Sequence, residues 1–418
     1  MVRLSSDLKA YGEALISVEE ATARAATLVA PVVQTTIIPL AEADGSVLAR
    51  DVVAGLDLPP FANSAVDGYA VRFSDLAASG ETRLPLAGRA VAGGGAVGLA
   101  ADGGAIRIFT GAPMPAGTDT VFMQEDVARD GDKVTLPSGL KRGANARPAG
   151  EDIARGEVAL PAGRRLRPQD IALLAALGRT DVEVRRRPVV ALFSTGDELT
   201  EPGTALGPAA IYDANRSLLR TMITRVGAEV LDLGILRDEP LELARSLAEA
   251  AARCDLILTS GGVSSGEEDH VKAAVARGGS LDIWRVGIKP GRPVAIGRVA
   301  ETPFVGLPGN PVAVFVTFAF IARPLIARLS GVDFQAPPTV PVRLAFPYGK
   351  KAGRREYLRV SLSPAADGIM LAHKHPQGGA GALASLSRTD GLVELAEALT
   401  RVEEGRVVPF HSYDALMA

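Results

Sequence analysis

The sequence predicts a multidomain α/β protein, and three observations carry that expectation. Residues 187–332 alternate four short apolar runs with helical stretches, which is the pattern of a doubly wound, mostly parallel sheet. Residues 56–141 break into short β-type runs divided by Gly, Pro and Asp, and the chain turns β-rich again after Gly331. At 418 residues the chain is too long for one core, and roughly 100–200 residues per domain gives two to four domains. A net charge of -3 provides no basic field for nucleic acid. The single cysteine, Cys254, excludes an internal disulfide framework, and four histidines argue against a Cys/His zinc site. Cys254 reads as a small buried hydrophobe.

Taken in order, the first helix has Ser17 as N-cap, Glu20 as capping-box partner and a body over 21–29, stopped by Pro31. A second helical stretch is expected over 40–48. The extended, proline-bearing segment 56–61 leads into β-type runs at 69–72, 105–109, 120–124 and 133–136. Helical spacing returns over 167–177 and Gly178 closes it, so the β-rich part reads as an insertion between two helical pieces. The opening residues contain no apolar core of signal-peptide length, which predicts a cytoplasmic address. Residues 312–322 are wholly apolar but stop at Arg323 and Pro324, short of the ~20 residues of a membrane span, and read as a core helix.

Strands are expected over 189–193, 228–235, 255–259 and 303–307, with helices over 215–226, 240–253, 269–276 and 311–329. Parallel strands place their C-terminal loops on one edge, so Glu198, Asp238, Asp269 and Asn310 should converge there. The segment 255–272, DLILTSGGVSSGEEDHVK, is the most informative of these. Gly261 and Gly262 allow close backbone approach, and the amides of 260–266 can face phosphate oxygens near the positive end of the following helix. Glu267, Glu268 and Asp269 add hard anionic oxygens, a combination that suits Mg²⁺ bridging carboxylates and phosphates. The plainer reading is an acidic helix start that complements the dipole, and the loop alone leaves both open. β-type runs at 339–346, 356–363 and 391–395 close the chain. Arg354, Arg355 and Arg359 form a basic group suited to a phosphate or an oxyanion.

Several segments follow one family's order: NSAVDGYA (63–70), FTGAPMPAGTDTVFMQED (109–126), GEDI (150–153), STGDEL (194–199), YDANRSLL (212–219), LGILRDEP (233–240), SGGVSSGEEDHV, IKPGRP (288–293) and GLPGNPV (306–312). The chain resembles the molybdopterin molybdenumtransferases of molybdenum-cofactor biosynthesis, the family that includes the C-terminal domain of gephyrin. The resemblance covers nearly the whole length. It implies a split helical domain (1–54 and 142–186), an inserted β lid (55–141), a molybdopterin-binding α/β domain (187–332) and a C-terminal β barrel (333–418).

The implied reaction inserts molybdenum from molybdate into adenylylated molybdopterin, releases AMP and needs Mg²⁺. The resemblance assigns Asp67, Thr110, Glu198, Asp238 and Asp269 to catalysis, with Glu198, Asp238 and Asp269 also holding the metal. It assigns substrate binding to Asp152, Ser194, Thr195, Gly196, Ser260, Gly261, Gly262, Ser264, Ser265, Lys289, Arg292, Pro308, Gly309, Asn310 and Arg359, of which Lys289, Arg292 and Arg359 are the oxyanion candidates. It further implies a cytoplasmic homodimer that contacts the molybdopterin adenylyltransferase and cofactor-receiving apoenzymes. The sequence departs from the pattern at Val66, Ala146, Pro148, Ser265, His270 and Ala380. Two alternatives are a molybdopterin adenylyltransferase, which shares the SGG loop, and a non-catalytic molybdopterin-binding scaffold. The acids at 67, 198, 238 and 269 argue against the scaffold.

Overall fold

A computed structural model describes residues 15–94, 103–237, 239–262 and 270–417. The chain forms two compact units. One contains the residues up to Thr36, Gly45–Val47 and everything from Val184 onward, and the other contains Ile37–Asp44 and Leu48–Glu183.

In the first unit, α1 (Val18–Ala26) starts at Ser17, whose hydroxyl accepts the Glu20 amide at 3.0 Å. The Glu20 carboxylate pairs with Arg24. The buried stripe Val18, Ala21 and Ala25 faces the core.

The second unit is built on a six-stranded sheet. Its order is Thr120–Met123, Gly68–Val71, Ala105–Ile108, Thr82–Ala90, Lys133–Leu136, Ala128–Asp130. The Thr82–Ala90 strand was not expected, because Pro85 and Gly88 read as turn residues. The pleat absorbs them through a register shift between Leu86 and Gly88. The helix expected over 40–48 is a correction. Only a 3-10 turn forms, Leu40–Glu42, since Pro39 holds its N-cap extended and Gly45 at φ +72° turns the chain away. The expected helix over 167–177 is α2 (Pro168–Ala176), closed by Gly178 at φ +74°.

From Val184 the first unit resumes with a sheet ordered Glu229–Leu236, Val189–Thr195, Leu256–Ser260, Thr302–Leu307, Pro293–Val299, Gly279–Arg285. The first four strands are parallel and the last two are antiparallel additions. Strand residues alternate between two cores. Val190, Leu192, Leu256, Leu258, Val305 and Leu307 pack with α3 (Ala214–Arg225) and the long helical segment Pro311–Leu329. Ala191, Phe193, Ile257 and Phe304 pack with α4 (Pro240–Ala251) and α5 (His270–Gly278). Helices therefore cover both faces, and the strand-end loops share one edge.

The Pro311–Leu329 segment is the one described helix apolar and long enough to cross a membrane, and 83% of its window is buried inside the protein. It comprises α6 (Pro311–Thr317), a π turn Phe318–Ala322 and α7 (Arg323–Leu329). Pro324 lacks the N–H that would bond the Phe320 carbonyl, and the Thr22 hydroxyl of α1 donates to that carbonyl instead at 3.0 Å.

The C-terminal strands Val340–Leu344, Arg355–Pro364, Met370–Lys374, Gly391–Leu395 and Val407–Ser412 close into a five-stranded barrel, sealed by the pairing of Arg355–Pro364 with Gly391–Leu395. Val342, Val360, Ala372, Val393 and Phe410 fill it. The strand Ile288–Lys289 leaves the α/β sheet and adds to Arg355–Pro364 in parallel.

Candidate functional site

The C-terminal ends of the parallel strands open onto a cavity of about 610 Å³ in the first unit. One wall is the glycine loops. Gly261 takes φ +87° and its amide donates to the Leu307 carbonyl at 3.0 Å, while Gly262 takes φ +63°. A Cβ on Gly262 would stand 2.4 Å from a Val271 methyl and 2.8 Å from the Thr195 methyl, so only glycine lets the loop lie this close. Pro308, Gly309 and Asn310 continue the wall, and Asn310 occupies the N-cap position of α6 without a side-chain capping bond. Behind it, the hydroxyls of Ser194, Thr195 and Thr259 are buried without a hydrogen-bond partner among the described residues. Ser260 is also buried. Such groups are costly to leave unpaired.

The opposite wall belongs to the barrel and to the Lys289–Pro290 cis peptide. Lys289, Arg292, Arg354, Arg359 and Lys374 line the cavity with Tyr348 and His375, and among the described residues no carboxylate does. Lys289 Nζ donates to the Glu356 carboxylate at 3.0 Å. Burial works against the Lys289 charge, but Glu356, with a smaller contribution from Tyr348, more than offsets it and raises Lys289 above its ordinary value. Arg359 is buried and donates to the Gly379 carbonyl, the Ser385 hydroxyl and the Gln377 carbonyl at 2.9, 2.9 and 3.0 Å. Three of its five donors thus hold the loop carrying Ala380, whose carbonyl accepts the Val312 amide. Burial pulls the Arg359 guanidinium below its usual value.

Arg355 is a correction. It was grouped with the phosphate-facing arginines, but it pairs with Glu19, Glu394 and Glu397. As residue 355 of a strand that alternates faces, it points away from its neighbours Arg354 and Glu356.

Glu198 is exposed and pairs with no cation among the described residues. Its carboxylate folds back over Gly196, where a Cβ would stand 2.6 Å from Oε2. Asp238, Ser264, Ser265 and Asp269 lie outside the described residues. The described acids form no metal-holding group of three. An exposed, uncommitted carboxylate at a strand end fits the one or two that Mg²⁺ takes beside substrate phosphates.

The first turn of α3 frames these loops. Asn215 Nδ2 donates to the Gly309 carbonyl at 2.6 Å. Arg216 bonds Asp232 through one nitrogen at 2.8 and 2.9 Å, Asp213 at 3.1 Å and both oxygens of Glu201. It thereby ties the Glu198-bearing loop to the Glu229–Leu236 strand.

In the second unit, Gly68 pairs with Ile108 across adjacent strands, which brings Asp67 beside Thr110. The Thr110 amide and hydroxyl both donate to Asp67 Oδ1, at 2.8 and 2.7 Å. Those two bonds, with a smaller contribution from Arg107, hold the carboxyl below its ordinary range. A Cβ on Gly68 would stand 1.8 Å from the Phe122 carbonyl, which explains the glycine after Asp67. Asp152 is largely exposed and lies 3.5 Å from Arg147.

Comparison with known proteins adds to this geometry. Residues 16–178 match the MoeA N-terminal region (domain I and II), 191–328 a probable molybdopterin binding domain, and 341–413 the MoeA C-terminal region (domain IV). A molybdopterin molybdenumtransferase of Haemophilus influenzae is 39% identical over 78% of this chain and 81% of its own. The chain belongs to the molybdopterin molybdenumtransferase family. A Nostoc relative of the same name is 37% identical over 90% of this chain and 88% of its own. The crystal structure of the molybdopterin biosynthesis moeA protein from Pyrococcus horikoshii OT3 superposes with a TM-score of 0.82 at 30% identity, covering 96% of this chain and all of that one. This transferase of molybdenum-cofactor biosynthesis thus has the fold the resemblance implied. Sequence reasoning missed Tyr348, Lys374 and His375 in the cavity wall and Glu356 behind it. The RREY run at 354–357 was the available signal, because it sets an acid inside a basic group.

Proposed function

We propose that this transferase inserts molybdenum from molybdate into adenylylated molybdopterin, releasing AMP, and that the oxyanion is taken by the cation-lined cavity. One observation carries the reading: among the described residues, five Lys and Arg side chains and no carboxylate line a cavity whose other wall is two glycine loops. Lys289 and Arg292 are the oxyanion donors, with Arg292 paired to no carboxylate among the described residues. Arg354, Arg359 and Lys374 add positive potential. The amides beside Gly261, Gly262 and Gly309, with the Ser194 and Thr195 hydroxyls, are the donors for the phosphate end of the pterin substrate. Glu198, with Asp238 and Asp269, would hold Mg²⁺, which when bound neutralises charge at the phosphoanhydride. Asp67, whose carboxylate is favoured by Thr110, and Asp152 are the candidate residues of the second unit. The enzyme works as a cytoplasmic homodimer, and it receives its substrate from the adenylyltransferase and delivers to apoenzymes.

The test is a turnover assay with adenylylated molybdopterin, Mg²⁺ and molybdate, following AMP. Molybdate-dependent AMP release supports the reading. Pterin binding with no AMP under any condition would leave a scaffold.

A further inference from the structure

A carboxylate lies directly behind the wall of the cation-lined cavity. Glu356 is wholly buried. It arrives there because Ile288–Lys289 pairs in parallel with Arg355–Pro364, which sets Lys289 opposite Glu356. Glu356 Oε2 accepts from Lys289 Nζ and from the Tyr348 hydroxyl, each at 3.0 Å. Oε1 lies 3.6 Å from Arg354 and has no hydrogen-bond donor in range among the described residues. Lys289, Tyr348 and Arg354 all line the cavity, so one buried anion is held by three groups that also meet the ligand space.

Other charges face the same cluster. Lys350 is buried, and its ammonium donates to the Ala396 and Leu399 carbonyls at 2.8 and 2.9 Å. Lys374 Nζ sits 5.6 Å from the Tyr348 ring centroid. Glu356 and, less strongly, Glu397 favour the Lys350 charge.

We propose that Glu356 is the positioning residue of this cavity: its carboxylate fixes the Lys289 ammonium and the Tyr348 hydroxyl at the wall and balances the positive charge gathered there. This rests on reading the cavity as the oxyanion site. Two lysines of the same cluster supply the comparison. Burial acts against both charges. Lys289, hydrogen-bonded to the carboxylate, titrates above an ordinary lysine, whereas Lys350, which feels Glu356 only at a distance and bonds only carbonyls, is pulled below one. In Glu356→Gln the amide oxygen still accepts from Tyr348, but the charge is gone. Lys289 then sheds its proton at a lower pH than in wild type, so oxyanion affinity falls earlier as pH rises.

Calorimetric titration of molybdate into the full chain tests this, without pterin, comparing wild type, Glu356→Gln and Tyr348→Phe. Between about pH 7 and about pH 10 the dissociation constant should rise more for Glu356→Gln than for wild type and Tyr348→Phe, whose profiles should run together. A Glu356→Gln profile parallel to wild type overturns the role of Glu356 while leaving the cavity assignment standing. Wild type that binds no molybdate at either pH overturns both. Should Glu356→Gln not fold, the Lys289 ammonium is followed by NMR in wild type. Titration above the ordinary lysine range is expected, and titration below it overturns the proposal.

Discussion

Asp67 and Thr110 stand 43 positions apart, yet two hydrogen bonds to one carboxylate oxygen make them a single acid. A carboxyl whose folded pKa is depressed contributes its share of stability above the unfolded value, about 3.9, and loses it as pH falls through the lower folded value. Asp67 should therefore remain ionised at pH values where an ordinary aspartate has begun to protonate. Thr110→Val removes the hydroxyl bond and should move the Asp67 titration up, as read by carboxyl-carbon NMR shifts, whereas Thr110→Ser should leave it in place. An unmoved titration in the valine variant would mean that the backbone amide alone sets it. Arg292→Lys keeps charge and loses the planar fork, so the molybdate needed for half-maximal rate should rise roughly tenfold with nucleotide binding unchanged. At this scale the sequence was informative where a motif surrounds the residue, as at Asp67, Thr110, Lys289 and Arg292. It did not join Tyr348 and Glu356 to the site, beyond the acid inside the RREY run, because the meeting of Glu356 with Lys289 depends on a parallel register between segments 67 residues apart.

Among the elements, the first turn of α3 connects more of the site than its length suggests. Asp213 is buried and its charge is balanced by Arg216, whose side chain is only 14% exposed. Arg216→Met would strand that carboxylate and should cost about 3 kcal/mol in a denaturant melt, within the range for breaking one side of a buried pair. Asn215→Ala loses one bond to the Gly309 carbonyl. It should leave the melt within about 1 kcal/mol of wild type while lowering turnover more than pterin affinity. Equal stability in Arg216→Met would show that the network is decoration. The four parallel strands and their helices were legible because each strand is a short apolar run bounded by a helical period. The antiparallel pair Gly279–Arg285 and Pro293–Val299 was not, since Gly279, Pro293 and Gly297 read as loop. A Cβ on Gly279 or Gly297 would stand 1.8 or 2.0 Å from a backbone oxygen across the pair, so these glycines serve close strand approach rather than a turn.

For the whole molecule, the two units carry different chemistry: the Asp67–Thr110 pair on one, and the glycine loops, cations and Glu198 on the other. The proposed homodimer is checked by sedimentation, where a mass of twice the 43.3 kDa chain is expected at assay concentrations. The barrel was only partly readable, as its Met370–Lys374 and Val407–Ser412 strands lack a long apolar alternation, although they supply Lys374 and close the wall. The central claim is that the cavity takes molybdate and couples it to release of AMP. The most direct measurement is AMP release from adenylylated molybdopterin with Mg²⁺ at graded molybdate, in wild type and in the Lys289→Ala, Arg292→Ala double variant. Wild type should release AMP in step with molybdate, and the double variant should need on the order of a hundredfold more, two charge-assisted contacts at roughly tenfold each. An identical molybdate dependence in the two proteins would contradict the account.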